Sequence, residues 1–433
     1  MKKPGNALKI SFGITVAIAA VAALIWGLNV QGEINVSAPV ATAAPSEGLI
    51  ARGAYLARAG NCMACHTVQG GQAYAGGRGI ATPFGTVYTS NLTPDKNTGI
   101  GTWSAAHFWR AMHNGRSKSG RLLYPAFPYT SYTQVTRDDS DALFAYLSSL
   151  PAVQKINQPH VLRFPYQSQA ALAVWRALYF SPGVYEPDPR HSAEWNRGAY
   201  LVKGLGHCSA CHSARNALGA TVDALDLAGG LIPMQNWYAP ALTSAREAGV
   251  GDWDRAHIVQ LLQTGVSPRG SVNGPMAEVV MRSTQYLTAQ DLGAMAQFLK
   301  ELPATHPESG AAQADRTTVS QAVAEKGAKL YQNHCAQCHG DNGKGVANAY
   351  PALAGNRAVL LPQTANLVQI VLNGGYAPAT EGNPRPFGMP PFVLVLDDNA
   401  VAAVLTHIRG AWGNQASAVT PIEVNRIRAN RAR

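Results

Sequence analysis

The stretch "NCMACH" at residues 61–66 places two thiols and an imidazole within five positions. It returns as "HCSACH" at 207–212 and as "HCAQCH" at 334–339. These three segments use all six cysteines of the chain: Cys62, Cys65, Cys208, Cys211, Cys335 and Cys338. In each, a histidine follows the second cysteine directly: His66, His212 and His339.

An even cysteine count permits three disulfides in an exported protein. A disulfide, however, gives no reason for the histidine. Structural zinc takes four ligands at one site, usually as two pairs from separated segments, and here each segment brings one pair and one imidazole. The spacing C-x-x-C-H is the attachment signature of c-type haem. The two thiols add across the porphyrin vinyl groups, and the imidazole binds iron from one face. Three matches that exhaust the cysteines therefore read as three covalent haems c, with His66, His212 and His339 as proximal ligands.

The surroundings of the motifs repeat as well. "RGAYLARAGNCMACH" at 52–66 matches "RGAYLVKGLGHCSACH" at 197–212, which has one residue more before its first cysteine. "KGAKLYQNHCAQCH" at 326–339 is a looser third copy. Downstream, "GIGTWSAAHFWRAMHNGRS" at 99–117 aligns without a gap with "GVGDWDRAHIVQLLQTGVS" at 249–267, and "NLVQIVLNGG" at 366–375 reads as the third version of that helix. Amphipathic helices at 136–151, 288–303 and 397–412 close the three units. Each starts on Thr or Asp, and Pro151 and Pro303 end the first two. The result is three helical domains of about 100 residues, at 49–152, 191–303 and 317–415. Linkers fall at 31–48 and 304–316, and a basic tail at 416–433 reads as a solvated, disordered end. The aromatic segment within 153–190, with Trp175, Tyr179 and Phe180, is expected to connect the first two domains by packing between them. Strand signals are few.

An electron-transfer haem has its second axial position filled, commonly by Met, which raises the potential. In a repeat that ligand belongs at one equivalent place, the loop between the middle and closing helices. "FGMPPF" at 387–392 offers Met389, and "NGPMAEVVM" at 273–281 offers Met276, ahead of Met281 as a core residue. The first unit reads "YPAFPY" at 124–129, with Phe127 in the Met position. Met63 is badly placed, Met112 reads as core and His113 as exposed. The first iron is left five-coordinate or served by a ligand the sequence does not display. His107 and His257 read as local hydrogen-bonding residues, His207 and His334 as covers of a haem edge, and His160, His191, His306 and His407 as surface or linker residues.

Residues 1–30 carry Lys2, Lys3 and Lys9 and then an uncharged run from Ile10 to Leu28. That length suits a membrane anchor or a long signal segment with a small-residue site in "ATAAP" at 41–45. Either way the basic flank stays inside and the body is exported. The net charge of +10 is spread thinly, without basic runs interleaved with aromatics, so nucleic acid is not an expected partner.

The three motifs, together with "NLTPDKNTGIGTW" at 91–103, "LYPAFPYTSY" at 123–132, "GPMAEVV" at 274–280 and "MPPF" at 389–392, resemble the three-haem cytochrome c subunit of membrane-bound bacterial dehydrogenases. The resemblance implies a mainly α chain of three tandem class I cytochrome c-like domains on the periplasmic face of the inner membrane. It implies a separate catalytic dehydrogenase subunit, of flavin, quinone or molybdopterin type, as electron donor. Ubiquinone or another respiratory acceptor such as a terminal oxidase would receive the electrons. Family members of the alcohol dehydrogenase type commonly carry Met where this chain has Phe127. The alternative from another class is a self-sufficient haem enzyme, a peroxidase or small-molecule reductase, acting at an open first haem.

Overall fold

The computed structural model describes residues 6–33, 36, 44–222, 226–304, 320–347 and 349–429. Lys2, Lys3, His306, most of the linkers at 31–48 and 304–316, and residues 430–433 of the tail lie outside the described residues. The chain divides into two compact units, Met1–Leu56 with Cys65–Glu186 and Ala57–Ala64 with Pro187–Arg433.

The first unit begins with α1, Asn6–Val30. Its segment Ile10–Val30 has a mean hydropathy of 2.2 and is long and apolar enough to cross a membrane. Then come α2 (Glu47–Ala59) as far as Leu56, α3 (Cys62–Cys65) from Cys65, α4 (Ala105–Asn114), α5 (Tyr129–Tyr132), α6 (Arg137–Ser149) and α7 (Gln169–Tyr179). An antiparallel sheet of β1 (Gly79–Thr82), β2 (Gly85–Tyr88) and β3 (Val161–Leu162) completes the unit. The segment after Pro151 is stitched onto it. The Asn91 amide donates to the Val153 carbonyl at 2.7 Å, and Lys155 Nζ donates to the Gly76 carbonyl at 2.8 Å. The expected connecting segment is therefore, up to Glu186, part of the first unit, where α7 packs along α1.

The second unit holds the other two helix sets. One comprises α8 (Ala193–Tyr200), α9 (Ser209–His212), α10 (Arg255–Thr264), α11 (Pro275–Arg282) and α12 (Ala289–Lys300). The other comprises α13 (Gln321–His334), α14 (Ala336–His339), α15 (Arg357–Leu360), α16 (Ala365–Asn373), α17 (Asp398–Gly410) and α18 (Pro421–Ala429). Short strands serve only as loop ties: β4 (Gly230–Ile232), β5 (Trp237–Ala239), β6 (Val266–Ser267), β7 (Gly270–Ser271), β8 (Gly375–Tyr376) and β9 (Gly388–Met389).

Each set rests on the same crossing of its first and last helices. A Cβ at Gly53 would lie 1.9 Å from the Ala142 carbonyl oxygen, one at Gly198 2.0 Å from that of Ala294, and one at Gly327 2.3 Å from that of Ala403. Only a glycine lets backbone meet backbone this closely. Bonds to carboxylates fix two of the crossings: Arg52 Nε meets Asp139 at 2.9 Å, and Arg197 holds both oxygens of Asp291 at 2.8 Å. The last helices start as their sequences imply, with Thr136, Thr288 and Asp397 accepting from the backbone N–H three residues on. The extra residue of the second copy is absorbed in a π turn, Leu201–Leu205, in which Gly206 N–H donates to the Leu201 carbonyl at 2.7 Å.

Within the second unit the two sets are bolted together. The Asn366 side chain accepts from Tyr238 N–H at 2.8 Å and donates to the Tyr238 carbonyl at 2.7 Å, as a paired strand would. Arg357 donates to the Gly249 carbonyl at 2.6 Å and to Asp252 at 2.7 Å. The tail is not a solvated end through residue 429: α18 buries Val424 completely, and Arg428 donates to Asp398 and to the Val393 and Leu396 carbonyls. Val424 and Ile427 stand three apart, one face of a helix, and that face outweighs the basic composition.

Gly198→Val forces α8 and α12 apart and is expected to cost about 1–3 kcal/mol. Gly48→Ala, where an added methyl meets nothing within 4 Å, is expected to leave stability unchanged or raised. Urea unfolding of the two variants checks the contrast.

Candidate haem sites

The three cysteine-bearing turns, α3, α9 and α14, come after α2, α8 and α13, the first helices of the crossings, with the π turn lying between α8 and α9. Each turn aims its histidine at one backbone carbonyl. His66 Nδ1 lies 2.7 Å from the Ser90 carbonyl oxygen, His212 Nδ1 2.7 Å from that of Pro240, and His339 Nδ1 2.9 Å from that of Pro351. A carbonyl only accepts, so Nδ1 carries the proton and Nε2 presents its lone pair. This is how proteins orient an imidazole that ligates a metal.

The other side of each histidine is pinned too. The carbonyls of His66, His212 and His339 accept from the N–H groups of Gly76, Gly229 and Gly345 at 2.8, 2.7 and 2.8 Å. Those glycines have φ of 67°, 84° and 63°, and a Cβ on Gly76 or Gly345 would collide with the backbone at Ser90 or Tyr350. Burial pulls all three imidazoles below their ordinary range, against the opposing effect of the bonded carbonyl, so they are neutral at pH 7. Cys208, Cys211, Cys335 and Cys338 are in no disulfide. Burial pushes Cys208 up to about 12 and Cys335 up to about 11. The donor set of two thiols and one neutral, Nε2-exposed imidazole thus fits haem c three times.

Comparison with known proteins bears on the family. The cytochrome c family profile matches residues 50–151 and 324–412. The chain is 39% identical over 395 residues to the cytochrome c subunit of the quinone-type alcohol dehydrogenase of Gluconacetobacter polyoxogenes, covering 88% of this chain and 84% of that one. It is 38% identical to the gluconate 2-dehydrogenase cytochrome c subunit of Pantoea cypripedii, over 88% of this chain and 90% of the relative. It is also 34% identical to the fructose dehydrogenase cytochrome subunit of Gluconobacter japonicus, over 94% of this chain and 87% of that relative. The chain belongs to the dehydrogenase cytochrome c subunit family. Two of its helix sets carry the family profile, and the full-length relatives span the second set as well.

In this cytochrome subunit the three positions expected opposite the proximal histidines all lie between the middle and last helices. Phe127 precedes α5, Met276 is the second residue of α11, and Met389 ends β9. All three side chains are half-buried. Met389 packs against the apolar core of its set, and the Phe127 ring lies 5.3 Å from that of Tyr132. Met112 is buried on α4, and Met63 stays inside its own turn. Met281 is not enclosed core: it lines a surface cavity of about 570 Å³ with Tyr376 and Pro378.

The other histidines divide. His107 closes a capping box with Ser104, and His257 stands 3.8 Å from Asp254, so both act locally. His207, with φ of 38°, precedes Cys208 in the left-handed region. His334 is exposed, its ring edge-on to Phe392. His160 and His191 are exposed against Tyr124 and Trp195. His407 is not a surface residue but half-buried between Tyr331 and Trp412. His113, expected in solvent, is buried: its Nδ1 donates to the Thr133 carbonyl at 2.8 Å, and its ring stacks on Trp109 at 4.6 Å.

The pinning carbonyls and glycines escaped the sequence reading because backbone acceptors have no side-chain signature. The signal was nonetheless present: Ser90, Pro240 and Pro351 each stand two residues before a leucine, in "SNL", "PAL" and "PAL".

His113 binds its proton more weakly in the folded chain, chiefly through burial. The unfolded chain, whose imidazoles titrate near 6.5, takes up that proton first, so stability is full above about pH 6.5 and falls as pH drops below it. His113→Asn is expected to flatten part of that acid loss in unfolding curves measured from pH 7.5 to 5, with the visible haem spectrum unchanged.

Proposed function

We propose that this chain is an electron-transfer subunit carrying three covalently bound haems c. It would take electrons from a catalytic dehydrogenase subunit and pass them to ubiquinone or another respiratory acceptor at the periplasmic face of the inner membrane. The observation that carries the reading is the threefold imidazole, pinned at Nδ1 behind a C-x-x-C turn. The named relatives, each a subunit of an alcohol, gluconate or fructose dehydrogenase, support a catalytic partner of that kind.

When bound, haem c supplies a one-electron iron couple whose potential follows its axial ligands. The protein's own part is to set those ligands. Cys62 with Cys65, Cys208 with Cys211, and Cys335 with Cys338 would carry the thioethers, and His66, His212 and His339 the proximal nitrogens. Met276 and Met389 would complete the second and third sites. Phe127 offers no lone pair, so the first site differs from its neighbours. A self-sufficient haem enzyme would need an acid–base group over that first site. His113 is committed to Thr133 and Trp109 instead, which supports the relay.

Purification from detergent-solubilised membranes is expected to yield a coloured chain with three haem-bearing peptides and a co-purifying dehydrogenase whose substrate bleaches the oxidised spectrum. A colourless chain, or vigorous peroxide turnover by the isolated subunit, overturns the proposal. Met276→His and Met389→His are each expected to lower the potential of one haem, within the roughly 0.8 V that axial ligation spans. Redox titration reads the change.

A further inference from the structure

The apolar run of α1 ends in a polar residue that is not in water. Asn29 is 6% exposed. Its amide nitrogen donates to the Ala173 carbonyl on α7 at 2.9 Å, and its side-chain oxygen accepts from Arg176 Nε at 2.9 Å. Its own carbonyl accepts from Arg116 at 3.0 Å, and Arg116 is ion-paired with Glu33 just beyond the helix. Arg176 is itself 2% exposed, its guanidinium over the rings of Tyr129 and Phe180. Gly32, at φ +69°, turns the chain against Pro182. Two arginines of the first unit are thus partnered by residues that a cut within or just after α1 would remove or set loose. A buried guanidinium deprived of its acceptors is costly. A disposable leader has no reason to supply them.

The same contact sets the depth of α7. Asn29 lies at the end of the span, and Trp26, one turn earlier, is 69% exposed, as an aromatic at a membrane boundary would be. Because Ala173 touches Asn29, α7 lies at that boundary. Its inward side carries Leu172 and Arg176, both buried. Val174, Trp175, Leu178 and Tyr179 form a second, apolar stripe, with Leu178 63% exposed. An apolar and aromatic stripe level with the end of a membrane span meets lipid.

We propose that α1 is retained in the mature protein as an anchor, latched through Asn29 and Glu33 to Arg176 and Arg116, and that the latch lays the outer stripe of α7 on the bilayer. The occupant of that stripe is lipid, by continuity with α1. The inference rests on α1 crossing the membrane and is independent of the haem count and of the acceptor. The electron-transfer reading survives if it fails.

The test uses the full-length holoprotein purified from membranes. Its mass and N-terminal peptides are expected to include α1. A chain beginning after residue 30 overturns the proposal. Leu178→Cys, labelled with an environment-sensitive dye and reconstituted into phosphatidylcholine/phosphatidylglycerol vesicles, is expected to lose most of its emission to nitroxide-bearing lipids and little to a water-soluble quencher. The reverse order overturns the placement of α7, even with α1 intact. An unchanged haem spectrum certifies that the labelled variant is folded.

Discussion

Three close contacts between helix backbones govern this molecule. At Gly53, Gly198 and Gly327 the first helix of each set lies against a carbonyl of the last, nearer than any side chain allows. The contact fixes where the first helix ends, and the cysteine turn begins at that end. A histidine one turn further on then meets a carbonyl under 3 Å away in all three sets. The sets reach the motif by different routes: the second carries one residue more than the first between glycine and cysteine and takes it up as a π turn, and the third carries one fewer and runs its helix straight to the cysteine.

Much of this was legible beforehand, for a physical reason. Covalent attachment requires two cysteines and a histidine at one spacing, and helix pairs require periodic apolar faces, so both leave marks on residue identity. The N-caps at Thr136, Thr288 and Asp397 and the C-terminal glycines of the middle helices, such as Gly115 and Gly265, are of this kind.

What stayed hidden depends on contacts between residues far apart in sequence. His113 aligns with a glutamine in the second copy and so looked like a solvent position. It is buried because Trp109, one turn back, and the Thr133 carbonyl enclose it. The stretch from 153 to 186 looked like a connector. Asn91, Gly76 and α1 claim it through polar bonds that no periodicity announces. The basic tail looked solvated because charge dominates its composition, while two apolar residues decide its placement.

The joint formed by Asn366 with Tyr238 and by Arg357 with Asp252 has a kinetic meaning. It places the His212 and His339 sites in one body, so their separation does not wait on diffusion or on a docking encounter. Electron tunnelling is steeply sensitive to distance, and between these two sites the distance is a property of the fold. Were haems held at both, a transfer between them would run over a path set by the fold rather than by docking, and its rate would respond little to ionic strength or viscosity.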